Sequence, residues 1–519
     1  MSSAFDARSG RLRPRAPFPT GPAHRRRRTR RAPDPHHRTS RGAARHRGNA
    51  VKAIVVGAGP IGCLMAKRLR DRAFEVDVYE KGPDPRLPAS GSRRTYSFNL
   101  TLTLRGTGVL EPELRTMLES EGVRCGHRIV HHTDGTLSAH AYGSEPGHHL
   151  LSIPRHRVHH IMLDEAERAG ARLHFGHECV RADARAGRAV FIAGGDHLVH
   201  GQAALLVGCD GAGSVVRHAM SRGGSRLDVH QEYITHGYIE LRMPAGPRGQ
   251  DILVESAMDP DLPAGLHVWP RGDHLLLAQP NRDHSYSASL FLPMSVDDLA
   301  VPSFRDLPTA ADTERFFRTE FPDIARLFPG TALHFPHRPP ASLRIIEAGR
   351  YHHGRAVLVG DAAHTMVPFY GQGINCGFED AHVFFDILDR VRGRHTGDFV
   401  PETLAEFTAA RVGPCHAISA LSRAHLDTLA DDTTDATFAH RNRVERLVQE
   451  AHPHDFTRLY ESVAFSRIPY DRVVDTHDRG RRLLYELFRT FDAESQAERI
   501  VEEFGRRVGS SRPAELYNA

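Results

Sequence analysis

The sequence predicts an α/β fold in which a doubly wound, Rossmann-like domain carries an inserted antiparallel sheet and leads into a helical C-terminal region. Three observations predict it. Gly57-Ala58-Gly59-Pro60-Ile61-Gly62 stands between a short apolar run and a helical one. Strand-like runs between Gly237 and Leu292 follow one another with no helix between them, which implies a separate antiparallel sheet. After Gly371-Gln372-Gly373 the pattern turns helical and stays so.

Taken in order, Lys52-Ala53-Ile54-Val55-Val56 reads as a strand, Ile61 to Leu69 as a helix and Glu75-Val76-Asp77-Val78-Tyr79 as a second strand, a β-α-β unit. Leu205-Leu206-Val207-Gly208 and Ala356-Val357-Leu358-Val359 are two more strands, ending in Asp210-Gly211 and Gly360-Asp361. The inserted strands are Gly237–Leu241, Leu266–Trp269, His274–Ala278 and Tyr286–Leu292, with Arg271-Gly272-Asp273 turning the middle pair. Phe378, Ala381, Phe384, Phe385 and Leu388 share one face of the helix that follows Gly373, a stripe that reads as core packing.

Composition bounds the rest. The chain has 519 residues, 40% hydrophobic and 25% charged, a globular balance that exceeds what one core organises. The formal charge of +5 misleads. Residues 1–50 hold 14 Arg against Asp6 and Asp34, a balance of +12, so residues 51–519 carry 5 − 12 = −7. The body therefore gives no support to nucleic-acid binding. Residues 1–50, rich in Arg and Pro with few aliphatics, are expected to be a disordered tail without the apolar core of a secretion signal. The first strand starts at Val51, whose codon can start a bacterial gene, so this tail is expected to be untranslated upstream sequence or dispensable. The six cysteines include no Cys-x-x-Cys pair, and reduced intracellular thiols are expected. The 36 histidines include no His-Glu-x-x-His metal motif, so no metal is expected. No apolar run of about 18 residues suggests a membrane span; a cytoplasmic protein without an anchor is expected.

The glycine motif has a physical reading. Gly57 makes the tight turn, Gly59 lets backbone approach a pyrophosphate, and Gly62 permits close helix–strand packing. The helix N-terminus then offers unpaired N–H groups to phosphate. Glu80 ends the second strand 18 residues after Gly62, where a carboxylate meets ribose hydroxyls. Asp361, at a strand end among small residues, suits the ribityl hydroxyls of FAD. The ordered set GxGxxG, Asp-Gly and Gly-Asp resembles the single-component FAD aromatic hydroxylases. Val367-Pro368-Phe369-Tyr370-Gly371-Gln372-Gly373-Ile374-Asn375 is similar to a loop of the kynurenine 3-monooxygenases. So are Ser97-Phe98-Asn99-Leu100, Arg105-Gly106, His267-Val268-Trp269-Pro270-Arg271, Ala278-Gln279-Pro280-Asn281 and Phe465-Ser466-Arg467-Ile468-Pro469-Tyr470. The resemblance covers roughly residues 51–475.

That resemblance implies an FAD-binding domain over 51–225 and 340–395, an antiparallel-sheet substrate domain over 226–339 and a helical region over 396–519. It implies flavin contacts at Ile61, Tyr79, Glu80, Lys81, Gly82, Thr101, Arg155, Cys179, Asp361, Ile374 and Asn375, joined by Gly57, Gly59, Gly62, Pro368 and Gly373. It implies that Arg128 and Tyr142 clamp a substrate carboxylate, with Tyr460 beside them. The family's substrate-contacting asparagine matches His425, a larger and titratable side chain, and Tyr96 stands where the family often has arginine. The implied function is NADPH- and FAD-dependent hydroxylation of L-kynurenine, or a close analogue, with dioxygen. Two alternatives are the same chemistry on another aminoaryl acid, which the departure at His425 motivates, and a non-enzymatic carrier on the same fold.

Overall fold

In the computed structural model the described residues are 51–87, 98–222, 227–256, 265–298, 301–330, 339–395, 397–431 and 436–510. The basic tail and Tyr96 lie outside them. The strand Lys52–Val56 lies between Leu205–Gly208 and Glu75–Glu80, parallel to both. Ala356–Leu358 and Arg172–Phe175 continue the sheet on either side, and the short antiparallel His352–His353 closes one edge. Ala53, Ile54 and Val55 are fully buried, because a parallel sheet is covered on both faces. The first helix, Pro60–Asp71, starts with proline at its first position and buries Cys63, Leu64, Met65, Ala66 and Leu69. Proline suits that position because its missing N–H has no intrahelical partner there.

The second sheet has eight strands. The expected strands are present as Gly265–Pro270, Leu275–Pro280 and Tyr286–Pro293, while Gly237–Leu241 sits inside a longer strand, Val229–Met243. The sheet is not confined to the inserted segment. His127–His131 pairs parallel with Gly265–Pro270 and brings Leu137–Ala141 with it; Ala341–Ala348 pairs with Val229–Met243 on the other side. A strand far upstream in the chain therefore carries Arg128 into the second sheet, opposite Leu266. No local pattern announces a pairing between residues this far apart.

A third, three-stranded sheet of Asn99–Leu102, Leu150–Pro154 and Val123–Cys125 is joined to the eight-stranded one by polar side chains. Asn99 donates to Ser152 Oγ and to Asn281 Oδ1, both at 2.9 Å, and accepts from Ser287 Oγ at 2.9 Å. Ser152 donates to the Pro280 carbonyl at 2.9 Å, and Gln279 donates to Thr101 Oγ1 at 2.8 Å. The Asn99 and Gln279-Pro280-Asn281 motifs thus fasten this small sheet to the eight-stranded one. Helices follow from Gly373–Arg394 onward, with the expected stripe of Phe378, Ala381, Phe384, Phe385 and Leu388 at most 1% exposed. Among the described residues no helix is long and apolar enough to cross a membrane.

Candidate active site

Three motifs meet at Ile61. A Cβ placed at Gly377 would lie 2.7 Å from Ile61 Cδ1, and one at Gly360 3.5 Å from Ile61 Cγ1. The first glycine loop, the Gly360-Asp361 turn and the helix Gly373–Arg394 therefore share one junction. Within the first loop the glycines differ. Gly57 has φ +98°, and a Cβ there would come 2.4 Å from the Cys209 carbonyl oxygen; at Gly62 it would come 2.0 Å from the Gly57 carbonyl oxygen. Both are required by the fold itself. A Cβ at Gly59 would meet nothing within 4 Å, and one at Gly373 nothing nearer than 3.9 Å. Open space at two helix starts, each with unpaired N–H groups, is the cradle a dinucleotide phosphate or flavin edge needs.

Side chains around this cradle fall into two groups. Asp361 is exposed yet densely surrounded, so it faces a cleft and not the outer surface; burial pushes its carboxyl above the usual range, with His364, Arg155 and Arg344 acting against it. Arg155, exposed, belongs to the same electrostatic neighbourhood. Asp210 caps the helix Val215–Arg222 through Oδ2, at 2.7 Å from the Val215 N–H, while its buried Oδ1 has no protein partner. Lys81 is exposed, and Pro368 is exposed beside the loop. These polar and cationic groups fit FAD, whose ribityl hydroxyls and pyrophosphate require them.

Other expected flavin residues serve the frame with their side chains. Tyr79 stacks between Phe191 and His174, with centroids at 3.8 and 4.6 Å, and its carbonyl accepts from the Gly57 N–H at 2.8 Å. Glu80 accepts from the Ala58 and Gly82 N–H groups at 3.0 and 2.8 Å. Cys179 is buried, which pushes its thiol up to about 12. Asn375 accepts from the Thr103 N–H at 2.9 Å and donates to the carbonyls of Thr101 and Gly371 at 2.9 and 2.8 Å. Its side chain ties Thr101 to the Gly371 turn, so what it and Ile374 offer a ligand is backbone N–H.

Beyond Gly371 lies an aromatic pocket. The Arg128 guanidinium carbon is 5.8 Å from the ring centres of both Tyr142 and Tyr460. Those rings are 5.4 Å apart. Tyr370 stacks on Tyr460 at 5.2 Å and lies 4.6 Å from His425. The four residues expected to bind substrate are thus brought together from three segments: one hairpin carries Arg128 and Tyr142, and two separate helices carry His425 and Tyr460. Tyr370 is a fifth that the sequence reading left without a role, although its place one residue before Gly371 put it between flavin loop and pocket. Burial, and then Arg128, push the His425 imidazole down to about 3; it is neutral at pH 7, and its Nε2 has no protein partner. Burial raises the Tyr460 phenol to about 12 despite Arg128. Among the described residues no carboxylate lies within ion-pair distance of Arg128.

Behind the pocket, a buried ionic network links the helices. His364, Cys376, Asp380 and Cys415 converge within 4.8 Å, a cluster invisible to motif spacing. The Arg411 guanidinium is already in it, 2.7 Å from Asp380 Oδ1 and 3.3 Å from Cys376 Sγ, so a cation occupies the place a metal needs.

Asp361→Ala is expected to weaken FAD binding roughly 10- to 150-fold, the worth of one or two hydrogen bonds to a charged acceptor. Because the Asp361 carboxyl is raised in the folded chain, its ionised form opposes folding at neutral pH. The flavin-free variant should therefore melt no lower than the flavin-free parent. Flavin titration and melting curves of both apoproteins check the pair of outcomes.

The model of an FAD binding domain matches residues 50–249 and 331–411. Kynurenine 3-monooxygenase of Xanthomonas axonopodis pv. citri (strain 306) is 35% identical over 440 residues, covering 84% of this chain and 92% of that protein. The enzyme of the same name from Xanthomonas campestris pv. campestris (strain 8004) is 34% identical over 437 residues, 83% and 91% of the two chains. Among solved structures, 2-methyl-3-hydroxypyridine-5-carboxylic acid oxygenase superposes with TM-score 0.58 at 18% identity, over 73% of this chain and 93% of that one. Pseudomonas aeruginosa PqsL in complex with 2-aminobenzoylacetate does so with TM-score 0.57 at 19% identity, over 74% and 97%. The fold is that of the aromatic hydroxylases, the glycine cradle suits FAD, and the identity extends across nearly the whole of the bacterial enzymes: the chain belongs to the kynurenine 3-monooxygenase family of FAD-dependent aromatic monooxygenases.

Proposed function

We propose that the protein uses NADPH and dioxygen to hydroxylate L-kynurenine, or a close aminoaryl analogue, at the ring carbon next to the aromatic amine. The observation that carries this reading is Arg128, a half-buried cation without a carboxylate partner among the described residues, set against the rings of Tyr142 and Tyr460, which Tyr370 and a neutral His425 adjoin. A guanidinium so placed calls for a ligand carboxylate. The flat walls suit an aromatic ring, and phenol hydroxyls add donors to the same carboxylate.

FAD, when bound, supplies the reduction and activation of dioxygen. Gly59, the first turn of Gly373–Arg394, Asp361 and Arg155 are the residues that would hold it. The protein's own part is orientation and dryness. Arg128 and the phenols fix the carboxylate end, so the opposite, ring end faces the Tyr370-Gly371 loop that adjoins the flavin cradle. The substrate's amine makes its ring nucleophilic, and no protein base has to remove a proton from it in the attacking step. The unpartnered Nε2 of a neutral His425 offers either an N–H or a lone pair, where the family's asparagine offers both a donor and an acceptor, which favours a substrate differing from kynurenine at the atom that meets it. This is the observation behind the reading of another aminoaryl acid as substrate.

Substrate-stimulated NADPH oxidation, measured with kynurenine, anthranilate and ring- or side-chain-substituted analogues, tests the proposal. The expected result is stimulation by an ortho-amino aromatic acid, with a product one oxygen atom heavier. Stimulation by none of the panel, or NADPH oxidation with no oxygenated product from any of them, would overturn it.

A further inference from the structure

We infer that Glu461 is a positioning residue of the substrate pocket: its carboxylate ties the loop 143–148 to the helix Leu459–Phe465 and thereby sets Tyr142 against Tyr460. The inference rests on the reading of that pocket as the substrate site. Glu461 directly follows Tyr460, and Ser144 stands two residues after Tyr142. One carboxylate oxygen accepts from the Ser144 N–H at 2.9 Å, from its hydroxyl at 2.5 Å and from His148 Nδ1 at 3.1 Å. The other accepts from Gln449 Nε2 at 2.8 Å and from the Arg458 guanidinium at 3.1 Å.

The surroundings make this a lock and not a surface contact. The Glu461 side chain is 5% exposed. Gln449 also donates to Ser144 Oγ at 3.3 Å and accepts from the Arg458 N–H at 2.9 Å, closing a network over three segments. His148 lies flat on Phe465, with centroids 4.4 Å apart and planes at 8°. A Cβ at Gly143 would lie 2.4 Å from His148 Nδ1, so the loop closes only because Gly143 leaves that room. Tyr142, Phe465, Ala464, Cys125 and Leu150 pack beneath as one apolar cluster, against which Tyr460 leans. Burial opposes ionisation, but the bonds from Ser144 and Gln449 and the Arg458 charge outweigh it and hold the carboxyl at about 2. Every neighbour of the carboxylate is a donor, so an amide there places its own N–H groups against donors on one side. Loop and helix lose part of their tie, and the two phenols lose their fixed separation.

Glu461→Gln, Glu461→Asp and Arg128→Met are compared with the parent as flavin-loaded full-length enzymes. Glu461→Gln is expected to raise the Michaelis constant of the best panel substrate roughly tenfold, with kcat falling less than about threefold and flavin content retained. Glu461→Asp, which keeps the charge, should recover part of that loss. In the absence of substrate, hydrogen exchange in Glu461→Gln should quicken in residues 143–148 and 459–465 and stay unchanged in the strand Lys52–Val56. If Arg128→Met weakens a substrate and Glu461→Gln does not, the positioning role falls and the reading of the pocket stands. If neither moves any Michaelis constant, the pocket reading falls with it. Unchanged exchange in both segments, or a loss of flavin and melting temperature that parallels the loss of affinity, overturns the inference without reference to any substrate.

Discussion

Arg128→Met is expected to raise the Michaelis constant for the best substrate by on the order of 30- to 5000-fold, with flavin content unchanged. Methionine keeps much of the stem but leaves the ligand carboxylate without its counter-charge. Truncating one partner of a desolvated charge pair costs about 2–5 kcal/mol. The phenols of Tyr142 and Tyr460 stay in place and retain part of the binding, which sets the lower end of that range. The variant should not be less stable than the parent, since Arg128 has no ion-pair partner to abandon among the described residues, and its removal relieves the burial of a charge. Substrate-dependent NADPH oxidation and melting curves of the two proteins decide it. A parental Michaelis constant would place the carboxylate clamp elsewhere.

Arg105→Met should act in the opposite sense, on stability before chemistry. Arg105 is fully buried and pairs with Glu379 at 2.7 Å. It also donates to the carbonyls of Val463 at 2.6 Å and Ile468 at 2.8 Å, and its guanidinium lies 4.0 Å over the Tyr470 ring. One side chain thus fastens the Arg105-Gly106 segment to the flavin helix and to the Phe465–Tyr470 turn. Breaking a buried pair by removing one partner costs about 3–5 kcal/mol. Glu379 keeps Arg411 at 2.8 Å, so the lower half of that range is expected. At about 2.1 cal/mol/K per residue, a loss of this size lowers the melting temperature of a chain this long by about 3–4 °C. Lysine should not rescue it, because an ammonium lacks the planar fork that reaches three acceptors. A fall of less than about 1 °C in the flavin-loaded enzyme would refute the role.

These two arginines show what was legible in the chain and what was not. Both stood in segments that resemble the family, yet nothing local distinguishes a ligand-facing Arg128 from a structural Arg105. The difference is made by partners that arrive from elsewhere: Glu379, Val463 and Ile468 for one, two tyrosine rings and no acid among the described residues for the other. Tyr79 and Asn375 teach the same point in reverse. The resemblance placed them at the flavin, and their side chains turn into the protein, where Tyr79 stacks in the core and Asn375 bonds to three backbone groups. Glu461 carried no motif at all, because a carboxylate is recognised as a lock only once its five donors are seen around it.

Local chemistry alone determined the β-α-β unit, the glycine turn, the strand ends at Asp210 and Asp361 and the burial of the Phe378–Leu388 stripe. Each depends on backbone geometry and side-chain periodicity within about twenty residues, where sequence and structure share one scale. The tertiary structure decided the rest: the parallel pairing that carries Arg128 into the second sheet, the meeting of Tyr142, Tyr370, His425 and Tyr460, and the convergence of Arg411 with His364, Asp380 and two cysteines. Those groups lie up to 332 positions apart, from Arg128 to Tyr460. Contacts at that separation are set by how layers pack against one another, and packing leaves no period in the sequence to read.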